Sequence, residues 1–152
     1  VQLVYSIYQI AEGMKYLHSK SISHIHLNPS NIFISNDEIV KLCIFDLPIS
    51  KNLIEPTEQQ NLNDKGFDIY SFGIITYFIL SGGEFPSSNN SISFSDIAEK
   101  LISACFQSAN EVSFDTIVDV LEKEICNFLS LSQQEKNELV QFIGKYKALI
   151  PQ

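Results

Sequence analysis

The sequence predicts a mainly α-helical domain with one small β-hairpin after its first helix. Three stretches carry that expectation. In residues 2–18, Leu3, Ile7, Ile10, Met14 and Leu17 recur at three- and four-residue steps, which lays them on one face of a helix. Residues 32–35 and 39–43 are short apolar runs on either side of Asn36-Asp37, the pattern of a hairpin. From Asp68 the chain reads DIYSFGIITYFILSGG, apolar almost all round as a buried helix should be, with Gly82 as a suitable stop.

The remaining elements follow in order. Residues 46–67 hold Pro48, Pro56, Gly66 and many Asn and Gln, which predicts loop. A Ser/Asn stretch over 87–95 predicts a second loop. Two further helices are expected over 95–106 and 113–129. Ser132 and Glu135 have the spacing of a capping box, which starts a last helix over about 133–148. Its apolar stripe of Leu139, Phe142, Ile143 and Tyr146 either packs back on the rest or meets another domain. No internal repeat stands out.

The chain has 152 residues, enough for one domain with a real core. It is 45% hydrophobic and 18% charged, a globular composition. Net charge is −8, and all the basic residues are Lys. An acidic chain without Arg is poorly suited to nucleic acid or to anionic membrane surfaces. It also lacks the residue best shaped to bind phosphate through two parallel hydrogen bonds. Cys43, Cys105 and Cys126 show no paired spacing, which suggests reduced thiols and an intracellular, cytoplasmic setting. The longest mainly apolar run, 72–80, is too short for a membrane span, which needs about 20 residues. There is no signal-peptide pattern. A chain opening on Val is expected to be an excerpt or a processed product.

Residues 24–31 read HIHLNPSN. His24 and His26 would share one face of an extended stretch, as metal ligands do, with His18 and Cys43 the nearest further candidates. A second reading comes from the blocks around them. IAEGMKYLHSKSISHIHLNPSNIFI, VKLCIFDL, DIYSFGIITYFILSGG and LISACFQ followed by SFDTIVDVLEKE resemble, in order and spacing, the C-terminal lobe of a eukaryotic protein kinase. The tyrosine-kinase-like group is the most similar. The resemblance spans roughly residues 1–126. It implies a protein-kinase-like C-terminal lobe over 1–129 and a C-terminal helical extension over 130–152. The kinase N-terminal lobe would lie upstream.

The family's catalytic loop, H-R-D-L-K-x-x-N, falls on His24 to Asn31. His24 then matches the structural His and Asn31 the magnesium-binding Asn. His26 stands at the catalytic Asp, Ile25 at the Arg, and Asn28 at the Lys that contacts the transferred phosphate. Ile44 falls at the metal-binding Asp of D-F-G; using Asp46 instead needs a two-residue insertion. Glu58 matches the Glu of A-P-E, whose Arg partner is replaced near Val112, so that segment is expected to be looser. Asp68 matches the Asp that accepts backbone hydrogen bonds from the catalytic loop, while a helix N-cap is its plain alternative.

The resemblance therefore implies a pseudokinase scaffold or regulator in signalling, with no cofactor and a protein partner. The alternative is a divergent Ser/Thr kinase using ATP and magnesium. A general base such as His26 is worth roughly 10²–10⁴-fold at most, and imidazole does not favour Mg²⁺.

Overall fold

The computed structural model describes residues 1–25, 27–43, 61–87 and 92–150. The order is α1 (Gln2–Ser19), a 3₁₀ turn (Pro29–Asn31), β1 (Ile32–Ile34), β2 (Val40–Leu42), α2 (Asp64–Leu80), α3 (Asp96–Gln107), α4 (Phe114–Glu124), a second 3₁₀ turn (Ile125–Asn127) and α5 (Gln133–Leu149). This is the mainly α fold with one small hairpin that the sequence predicts.

Local chemistry explains where the helices start. Asn63, Ser95, Ser113 and Ser132 precede α2 to α5, and each side chain accepts a backbone N–H of the first turn. Such caps satisfy donors that the helix itself leaves open. At Ser132 the reciprocal bond from the Ser132 N–H to the Glu135 carboxylate completes the capping box. α2 ends where Gly82 and Gly83 take φ of +80° and +111°. The Gly83 N–H reaches the Phe78 carbonyl and the Gly82 N–H that of Ile79, the paired bonds of a glycine C-cap.

α2 starts four residues before the sequence reading placed it, so Asp68 lies inside the helix and is not its N-cap. The Asn63 cap outweighs the weak propensity of Gly66. The helix expected over 113–129 is interrupted after Glu124 by the 3₁₀ turn.

The core lies between α1, α2 and α4. Ile7, Tyr8, Ile10 and Met14 of α1 meet Ile69, Phe72 and Ile75 of α2 and Ile117, Val118 and Leu121 of α4 in one cluster. Leu3, expected in this face, is 54% exposed, because it lines an open groove between α1, α2 and the hairpin. α3 lies against α2 at Gly73. A Cβ there would stand 2.7 Å from the Cys105 Cβ and 2.9 Å from a Phe106 ring carbon, so the close approach needs glycine.

The strands pair antiparallel, with Ile32 opposite Leu42 and Ile34 opposite Val40. The buried Gln9 side chain holds them to α1: it donates to the Glu38 carbonyl and accepts the Val40 N–H. Ile32 and Ile34 share a groove with Leu3 and Ile10 of α1 and with Ile75, Phe78 and Ile79 of α2. The hairpin thus sits towards the C-terminal half of α2. α5 folds back on α1. Phe142 stacks on Tyr5, and Tyr146 meets Tyr5 and Tyr8 edge-on, which decides between the two positions left open for its apolar stripe.

Candidate functional site

The site is built around one carboxylate. Asp68 is fully buried in the second turn of α2. Its Oδ2 accepts the His24 N–H at 2.8 Å and its Oδ1 accepts the Ile25 N–H at 2.7 Å. His18 Nε2, near the end of α1, lies 2.8 Å from the same Oδ2. One side chain therefore ties together α1, α2 and the loop at 24–25. Such charge-assisted bonds are the stronger kind, and a buried carboxylate without them is costly. The His18 ring packs edge-on against Phe114 of α4, and Phe114 does the same to Phe72 of α2. The carboxylate thus rests on the aromatic part of the core.

The tether fixes an unfavoured backbone. Ile25 has φ +67°, a conformation rare for a β-branched residue. Both N–H groups can face one carboxylate because the chain reverses there. Beyond it, Leu27 is buried, and Asn28 caps the 3₁₀ turn, its Oδ1 accepting the Ser30 N–H at 2.9 Å and the Ser30 hydroxyl. Asn31 is buried at the end of this turn. Its carbonyl accepts the Cys43 N–H at 2.8 Å, so the far end of the hairpin is pinned to the loop.

The residues singled out from sequence fall into two groups. His24 and Asp68 are brought together by a hydrogen bond, and His24, Asn28, Asn31 and Asp68 are all buried. His26, Ile44, Asp46 and Glu58 lie outside the described residues. His18, considered from sequence only as a metal ligand, is engaged with Asp68. Fifty positions separate them, so no local pattern could have announced the pair. The Asn28 cap did have a signal, since Asn followed by Pro and Ser is a turn-starting sequence. Among the described residues, no group of three or more His, Cys, Asp or Glu could hold a metal ion.

The protein kinase domain family model matches residues 2–62. That stretch contains α1, the 24–31 loop and the hairpin. The match supports a protein-kinase-like domain. Three relatives agree with the match. Receptor-interacting serine/threonine-protein kinase 1 of Homo sapiens is 26% identical over 87% of this chain and 23% of its own length. A protein of Dictyostelium discoideum named as a serine/threonine-protein kinase is 27% identical over 90% of this chain and 35% of its own. Myosin light chain kinase 3 of Danio rerio is 28% identical over 82% of this chain and 20% of its own. The chain therefore spans a fifth to about a third of the length of these relatives. Its mainly α architecture with one hairpin is consistent with a kinase-like C-terminal lobe, and no described helix is long and apolar enough to cross a membrane.

Proposed function

We propose that this lobe is a pseudokinase module of the tyrosine-kinase-like group, acting inside the cell as a scaffold or regulator through a protein partner. Residues 1–129 form the lobe and 130–152 a helical extension. One juxtaposition carries the reading: the Asp68 tether of the loop is intact, while His26 and Ile44 stand where the family resemblance places the catalytic and metal-binding Asp. Phosphoryl transfer depends on positioning and on metal charge. Magnesium is held by hard oxygen donors, usually carboxylates. At the matching positions this chain offers the Asn31 amide and the hydrocarbon of Ile44. The Asn28 side-chain Oδ1, at the phosphate-contacting position, accepts twice from Ser30 in its own turn. These donors do not fit Mg·ATP.

A specific observation favours a second reading. The relatives are named as kinases, and Asn31 is retained and buried. A divergent Ser/Thr kinase would rebuild its metal site from Asn31 and Asp46. A radiolabelled-phosphate assay on a generic acceptor protein separates the two. The pseudokinase reading predicts no transfer above buffer. Transfer that is abolished by Asn31→Ala would establish the enzyme.

A further inference from the structure

The loss of the family's Arg near Val112 predicts a loosely held segment before α2. The geometry points to a different anchor, and we propose that the Asn110 carboxamide is a neutral clip that fixes residues 61–63 to the α3–α4 turn. Asn110 Nδ2 donates to the Asn61 carbonyl at 2.9 Å, and Asn110 Oδ1 accepts the Asn63 N–H at 3.0 Å. One amide thus bonds the backbone on both sides of Leu62, as a strand neighbour would. Both bonds go to the main chain, so the clip depends little on which side chains the segment carries.

The surroundings are shaped for it. Gly66 lies in the first turn of α2, and a Cβ there would stand 2.0 Å from Asn110 Oδ1. Only glycine admits the amide at this place. Asn63 is also the α2 N-cap, its Oδ1 accepting the Gly66 N–H at 2.7 Å. Asn110, Asn63 and Gly66 therefore form one device. It sets where α2 begins, one turn ahead of Asp68, and so supports the register of the loop tether. Val112 is half-buried and packs on the core, in keeping with its being a packing residue. An ion pair weakens with salt, and a carboxylate loses its charge in acid. An amide clip does neither.

The test is amide hydrogen exchange followed by NMR on the whole chain. The Asn63 N–H should be protected equally at low salt and in molar sodium chloride. Asn110→Ala should speed its exchange by roughly tenfold, as expected for losing one hydrogen bond, with core amides such as Ile117 unchanged. Asn110→Asp keeps the acceptor and should retain most of the Asn63 protection. Gly66→Ala should abolish it although Asn110 is still present, whereas Gly144→Ala, where a Cβ meets nothing within 4 Å, should have no effect. Unchanged Asn63 exchange in Asn110→Ala, or protection that disappears in high salt, would overturn the proposal. If Gly66→Ala fails to fold, the Asn110 variants decide alone.

Discussion

Replacing Asp68 tests the architecture at its most connected point. Asp68→Ala removes a fully buried carboxylate and leaves the His24 and Ile25 N–H groups without their acceptor. It also takes away the partner of His18 Nε2. Each buried donor left unpaired costs about 1–3 kcal/mol, and bonds to a charged group lie near the top of that range. Water reaches the half-exposed Ile25 more readily than the buried His24, so the two losses do not simply add. The net loss should be about 4 kcal/mol. Asp68→Asn keeps one acceptor oxygen but turns an NH₂ group towards a donor, and should lose about half as much. Urea denaturation followed by circular dichroism measures both variants, and amide exchange at His24 and Ile25 locates the damage. A loss under about 1 kcal/mol for Asp68→Ala, the size of an ordinary cap, would refute the argument that this carboxylate holds the loop. So would unchanged protection of the two amides.

Two further predictions concern strain and pH. Ile25→Asn should raise stability by about 1 kcal/mol, since Asn tolerates the positive φ that costs a β-branched residue of order 1–3 kcal/mol; a lower melting temperature would show that the Ile25 side chain contributes more than its backbone strain removes. Burial pushes the Cys105 thiol up to about 12 from 9.0. The folded chain therefore keeps a proton that the unfolded chain releases, so stability is full below pH 9 and falls as pH rises from there towards 12. Cys105→Ala should flatten that fall by up to roughly 1.4 kcal/mol per pH unit. An unchanged slope in urea titrations at pH 9–11 would count against it.

The helices were legible because their signals are local. Apolar spacing marked α1, the Ser132 capping box was read and is formed, and the helices expected from 95 and 113 start there, with Ser95 and Ser113 as their caps. Some features depend on contacts distant in sequence. Gly66 looked like part of a loop, yet it is a helical residue whose missing side chain makes room for Asn110. Leu3 has the right period but lines an open groove shared with α2 and the hairpin, so it stays half-exposed. The hairpin follows α1 through the Gln9 amide, which no apolar pattern encodes. At the site, the four blocks of family resemblance singled out the loop and Asp68, and in the structure Asp68 accepts the His24 and Ile25 N–H groups. His18 was missed because its partner is fifty residues away, and helix periodicity says nothing of a polar pair at that distance.

The central proposal is a kinase-like lobe without its metal chemistry. Titration calorimetry of Mg·ATP into the whole protein tests it most directly. The account predicts no heat of binding beyond dilution at millimolar nucleotide, and the same null result for Asn31→Ala. Saturable binding that requires magnesium, with a micromolar dissociation constant lost in Asn31→Ala, would contradict it and make the divergent kinase the better description.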